Sequence, residues 1–192
     1  MNDFAFFFDL GWRHIISSDA LDHQLFILAL AAIYLVNDWK KVLILVTAFT
    51  IGHSLTLALS SFDIISADTK WVEFLIPLTI VITAFLNLVK TEKHYGEYRF
   101  QYVLALLFGL IHGLGFANTI KLMLVKTQSV TVPLLSFNIG LEAGQIVVVG
   151  FILLLSYLMV NRFKLRRKWW VWSLSLIALC ISGYICTERW PL

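Results

Sequence analysis

Five ionisable side chains interrupt the apolar runs of this 192-residue chain, and their types suit a metal ion. Asp22 and His23 stand together in Asp19-Ala-Leu-Asp22-His23-Gln-Leu-Phe. His53 lies in Phe49-Thr-Ile-Gly-His53-Ser, His112 in Phe108-Gly-Leu-Ile-His112-Gly, and Glu142 in Phe137-Asn-Ile-Gly-Leu-Glu142. An ionisable group inside hydrocarbon is costly, so each of these is a functional candidate. Imidazoles mixed with carboxylates in a low-dielectric site suit Ni, Zn, Fe or Co better than Ca or Mg, which prefer all-oxygen cages. Ser54, Thr50, Asn138 and Gln145 are candidates to orient the imidazoles. His14 is expected either to fold over the mouth of the site or to act as an interfacial anchor beside Trp12 and Arg13. Glu73 is read equally well as part of the site or as a solvated helix-start carboxylate. The competing reading of the whole set is a hydrogen-bonded polar network that only pins helices together.

The elements that must carry these residues are membrane helices. The chain is 59% hydrophobic and 14% charged, with a mean hydropathy of +0.83, which excludes an ordinary soluble domain. Apolar runs recur along the whole length, leaving no room for a soluble catalytic domain, a nucleic-acid module or a disordered tail. The expected fold is all-α: a polytopic membrane bundle of about six transmembrane helices. The spans fall near residues 20–37, 41–60, 71–90, 99–120, 132–161 and 169–187, so that 20–192 forms the transmembrane domain. Residues 1–19, rich in Phe and lacking a basic stretch before a cleavage site, read as a short segment in the outer interface and not as a removable signal. Pro77 and Pro133 are placed near helix starts. Cys180 and Cys186, six positions apart on the last span, match no metal or disulfide spacing and read as packing residues.

Loops after the first, third and fifth spans hold ten Lys and Arg, including Lys40, Lys41, Lys90, Lys93 and Arg162; the other side holds five, Arg13, Lys70, Lys121, Lys126 and Arg189. That imbalance predicts both termini outside the cytoplasm, and it assigns the net charge of +3 to topology instead of nucleic-acid binding. At 1.5 Å rise per residue, His53 then lies about 10 Å, His112 about 12 Å and Glu142 about 14 Å below the outer ends of their spans. Asp22 and His23 start at the outer surface and point down. Gly109 with Gly113, and Gly140 with Gly144, are spaced to let helices approach closely and so bring His112 toward Glu142. Phe49-x-x-x-His53 and Phe108-x-x-x-His112, on helices running the same way, suggest a trace of duplication.

These residues carry a resemblance to the HupE/UreJ family of hydrogenase and urease accessory membrane proteins. It spans roughly residues 11–150 and rests on His14-Ile, Asp22-His23-Gln-Leu-Phe, Thr47-Ala-Phe-Thr-Ile-Gly-His53-Ser-Leu-Thr, Phe108-Gly-Leu-Ile-His112-Gly-Leu-Gly-Phe-Ala and Phe137-Asn-Ile-Gly-Leu-Glu142-Ala-Gly-Gln145. The resemblance implies a multi-span protein of the bacterial inner membrane and, for the better-known members, a nickel permease serving metalloenzyme assembly. It also implies that the His and Asp of the first motif and the His of the fourth span are functional. This chain departs from the pattern His-Pro-x-x-Gly-x-Asp-His, since eight positions separate His14 from Asp22 and neither Pro nor Gly intervenes. The family's Phe-His-Gly-x-Ala-His-Gly-x-Glu motif lacks its first His and its Glu here, so Glu142 is expected to replace that carboxylate from the next helix.

The leading expectation is therefore a permease for a divalent metal, nickel first, captured by His23, Asp22, His53, His112 and Glu142, with His14 at the mouth. Metalloenzyme-assembly proteins and the lipid bilayer are the expected partners, and no nucleic acid is. The rival is a zinc-dependent membrane hydrolase in which Asp22 or Glu142 is the general base. A metal-binding accessory or scaffold protein is the third.

Overall fold

The computed structural model describes residues 3–89, 98–123 and 130–191, and these form helices with no strand among them. The expected loop residues Lys90, Lys93 and Lys126 lie outside the described residues. Seven α-helices follow in order: α1 (Asp3–Ile16), α2 (Leu21–Ala31), α3 (Trp39–Ser61), α4 (Thr69–Val89), α5 (Tyr98–Met123), α6 (Thr131–Ser156) and α7 (Arg167–Glu188). A π-helical turn, Tyr157–Arg162, extends α6. Helices α3 to α7 contain the five segments long and apolar enough to cross a membrane, and their bounds follow the sequence expectation closely.

The first expected span differs. Residues 20–37 are not one helix: α2 stops at Ala31 after 11 residues, and a short 3-10 turn, Val36–Asp38, leads into α3. At 1.5 Å per residue α2 reaches about 16 Å, half of a hydrocarbon core of roughly 30 Å. Further helix precedes it in α1. The N-terminal segment, expected in the interface, packs along α6 with Phe7, Gly11 and Ile15 buried. Past the break at Ser18–Ala20, α2 continues along the same helix, where Leu21, Leu25 and Leu28 line an apolar crevice with Val148 and Ile152 of α6. Together α1 and α2 supply about 37 Å of helix, a discontinuous element long enough to cross. The break is held by Gln24, whose Nε2 donates to the carbonyls of Ile15 (3.1 Å) and Ser17 (2.9 Å) at the open end of α1. Pro77 also departs from expectation, lying inside α4, where it offers no N–H to the Glu73 carbonyl one turn back.

Two helix pairs, α3 with α5 and α1 with α6, touch backbone to backbone. A Cβ added at Gly109 would overlap the Phe49 carbonyl oxygen, and one at Gly140 would overlap that of Phe8. Within lipid there is no hydrophobic drive between helices, so such close packing is what holds them. Gly109→Ala and Gly140→Ala should each lower stability by about 1–3 kcal/mol through overpacking, whereas Gly150→Ala, which meets nothing within 4 Å, should be neutral. Thermal unfolding in detergent checks this, and equal midpoints for all three variants would refute the close-packing assignment.

Candidate metal centre

Four imidazoles from four helices converge. His14 ends α1, His23 opens α2, His53 lies in α3 and His112 in α5; the last three are buried and His14 is half-buried. One ring nitrogen from each of His14, His23 and His53 falls within 4.8 Å of the others. His112 stands beside His23, with ring centroids 5.0 Å apart.

The rings are wedged among aromatics. Phe116 packs 4.2 Å from His14, Phe137 lies 6.1 Å from His53 in stacked orientation, and Phe49 lies 5.1 Å from His112. Buried polar atoms are normally paired, yet His14 Nε2, His23 Nε2 and His112 Nε2 have no partner, and the His53 ring has no close one, only a looser interaction with Asn138. His112 is set for ligation: its Nδ1 lies 2.8 Å from the Phe108 carbonyl, which can only accept. The Nδ1–H therefore donates, and Nε2 keeps a free lone pair, the orientation used by metal-bound histidines. Several neutral imidazoles with unused lone pairs in an apolar box fit a borderline-soft divalent ion.

Above the rings opens a cavity of 330 Å³ lined by His14, His23, His112, Asp19, Asp22 and Glu73, with Arg189 at its edge. Asp22 Oδ2 accepts from Arg189 Nη1 at 2.7 Å, while Oδ1 is buried without a partner. Three carboxylates against one guanidinium make this mouth favourable to cations.

Of the residues expected at the site, His14, His23, His53, His112 and Asp22 come together, and Glu73 lines the same mouth. Glu142 does not join them. It sits on the seam between α3 and α6, where it accepts from Thr47 Oγ1 at 2.7 Å. Gln145 on that seam accepts from Thr50 at 2.8 Å, and Ser54 donates to its own helix, so neither orients an imidazole. Asn138 donates to the Leu134 carbonyl and interacts with His53, so of these residues it is the one placed to orient an imidazole. Asp19, Arg189 and the aromatic box were not singled out as site residues in the sequence; the only hint was the Phe four positions before His53 and before His112.

Nickel or zinc titrated into purified protein should bind, with affinity reduced about tenfold or more in His23→Ala and His53→Ala and little changed in Glu142→Gln. Calorimetry reads this directly, and equal affinity in all variants would reject the imidazole site.

Comparison with known proteins finds no match among curated proteins and none among solved structures. One family model does match, that of the HupE / UreJ protein, over residues 1–189. The chain thus belongs to the HupE/UreJ family, membrane proteins associated with metal handling.

Proposed function

We propose that this protein is a divalent-metal permease, with nickel as the foremost cargo, and that the ion is captured from the side on which the cavity opens. The observation that carries this reading is the set of buried imidazole nitrogens without a close partner on α1, α2, α3 and α5 beneath a carboxylate-lined mouth. Asp19, Asp22 and Glu73 would draw a hydrated cation in, and the imidazoles would replace part of its water shell. The positive side of α2's first turn is offset there by Asp22. Both ends of the chain would face the outside of a bacterial inner membrane, following the Lys and Arg imbalance.

A second reading is favoured by one observation. Among the described residues, the cavity at the imidazoles shares no lining residue with the separate void of 10 Å³ beside Thr83, Asn87 and Gln101, so no continuous path links the two. A dead-end site suits a membrane-embedded zinc hydrolase, in which zinc supplies water activation and Asp22 is the carboxylate placed to take a proton.

Cells expressing the protein should accumulate nickel several-fold above cells without it, with the gain abolished by His112→Ala and His23→Ala. Unchanged accumulation of Ni, Co, Zn and Fe alike would sink the permease. About one equivalent of zinc retained through purification and lost in His112→Ala would turn the assignment to the hydrolase, since a permease releases its cargo.

A further inference from the structure

The two close-packed helix pairs share one register. In the pair α3 and α5, a Cβ at Gly52 would overlap the Leu106 carbonyl and lie 2.9 Å from Leu110 N, while one at Gly109 would overlap the Phe49 carbonyl and lie 3.1 Å from His53 N. In the pair α6 and α1, a Cβ at Gly140 would overlap the Phe8 carbonyl and lie 3.0 Å from Trp12 N, while one at Gly11 would overlap the Phe137 carbonyl and lie 2.9 Å from Leu141 N. Positions 49, 52 and 53 of α3 thus correspond to 137, 140 and 141 of α6, and positions 106, 109 and 110 of α5 to 8, 11 and 12 of α1. The same shift carries the contact of Thr56 with Gly113 onto that of Gly144 with Ile15. It also carries the ring pair Phe49 and His112, 5.1 Å apart, onto Phe137 and His14, 5.6 Å apart. The sequence echoes it in Phe49-Thr-Ile-Gly52 against Phe137-Asn-Ile-Gly140, and in Gly109-x-x-His112 against Gly11-x-x-His14.

The correspondence is inverted. His53 meets Phe137 while the earlier Thr47 meets the later Glu142, so α3 and α6 run antiparallel. Helices α4 and α7 also pair head to tail, with Phe74 near the start of one 5.1 Å from Trp190 just past the end of the other. Two halves result, α3–α4–α5 and α6–α7–α1, meeting at the imidazole cluster, where His14 and His112 hold equivalent places. Among the described helices, α2 has no counterpart.

That odd helix marks where the symmetry is broken. Between the start of α4 and the end of α7 lies the open mouth, edged by Glu73 and Arg189. Between the end of α4 and the start of α7, where the equivalence calls for a second mouth, lie the C-terminal end of α2 and the residues just after it. Asn87 Nδ2 donates to the Ala29 carbonyl at 2.7 Å, Arg167 donates to the Ile33 carbonyl, and the Tyr34 hydroxyl donates to Gln101 of α5. The space left beside Thr83, Asn87 and Gln101 is 10 Å³, room for about one water.

We infer that α2 is the gate of a second route to the imidazole cluster, closed in this state and opening on the side opposite the mouth. The inference rests on the permease reading and supplies its missing exit. One end of α2 carries His23, and its other end with the residues just after it carries the closing bonds, so cation capture and gate position are one mechanical event, as in inverted-repeat transporters.

The test uses the full chain with Cys180→Ala and Cys186→Ala, and a membrane-impermeant methanethiosulfonate applied to right-side-out and inside-out vesicles. An Asp19→Cys thiol should react from the side of the mouth. A Thr83→Cys thiol should react slowly from either side, and about tenfold or more faster, only from the opposite side, once Asn87→Leu or Tyr34→Phe is added or nickel is bound. His112→Ala should remove the nickel effect and leave that of Asn87→Leu. A Thr83→Cys thiol that stays protected in both gate variants and with nickel, or that becomes reactive from the side of the mouth, overturns the gate. Nickel uptake by the same vesicles separates the two ideas: uptake with that thiol sealed throughout overturns the gate alone, and opening without uptake upholds the gate while removing the permease.

Discussion

Backbone contact between helices, made through glycine, is the constraint on which the cavity depends. Helix α5 lies on α3 at Gly52, Gly109 and Gly113, and α1 lies on α6 at Gly11, Gly140 and Gly144. At that separation the residues beside each glycine have no freedom to turn away. His53 adjoins Gly52, and His112 adjoins Gly113, so the same contact that joins the helices sets both imidazoles facing the same space. The aromatic rings one turn away, Phe49 and Phe137, then fill what the imidazoles leave. Dispersion over such a surface has to outweigh the burial of several unpartnered ring nitrogens, each costing about 1–3 kcal/mol. Any ion that accepted those lone pairs would convert this cost into binding.

The mouth is governed by a competition for Asp22. Its carboxylate holds Arg189 by one oxygen and keeps the other buried and free. Arg189 follows the last residue of α7, so the guanidinium reaches across from the end of the chain. A cation arriving above His23 meets Asp22 with part of its charge already engaged, and binding there works against the ion pair. The side chains of this pair are 37% and 19% exposed, so solvent screens it and the competition is a mild one.

Much of the bundle was legible because long apolar runs with few charges have only one stable form in lipid. Depth was partly legible: counting 1.5 Å per residue put His53 and His112 at one level, and the structure sets both beside His23. Azimuth was not. On α6 it is Phe137 that meets His53, and Glu142, about 7.5 Å further along the helix, reaches Thr47 on the seam, so its level and its azimuth both differ from the expectation. The packing of the N-terminal segment on α6 was not legible, because Asp9 and Arg13, an exposed pair at 2.8 Å, make α1 look like a surface helix, while its buried stripe is only Phe7, Gly11 and Ile15. The likeness of Phe49-x-x-x-His53 to Phe108-x-x-x-His112 joins two helices that are packing partners, whereas the packing register matches α3 to α6 and α5 to α1, a correspondence hard to read in the sequence because His53 answers to Leu141 and the order of elements is permuted.

The break between α1 and α2 brings backbone groups, and not side chains alone, to the imidazole cluster. A continuous helix would satisfy all its own carbonyls and amides and present the centre of the bundle with side chains alone. Here α1 ends at Ile16 and α2 begins at Leu21, so free carbonyls and free amides both occur beside the imidazoles. Gln24 takes the carbonyls of Ile15 and Ser17, which prevents the end of α1 from unravelling and fixes His14 one turn before it. The amides of α2 leave a partial positive charge next to His23, hostile to a cation, and Asp22 in that first turn counters it. Asp22 therefore does two things at once: it neutralises the end of α2 and, through Arg189, ties that end to α7. The far end of α2 is tied to α4 through Asn87, and the residues just after it are tied to α5 and α7 through Tyr34 and Arg167, so the helix is held at both ends, with α7 taking part in both anchors.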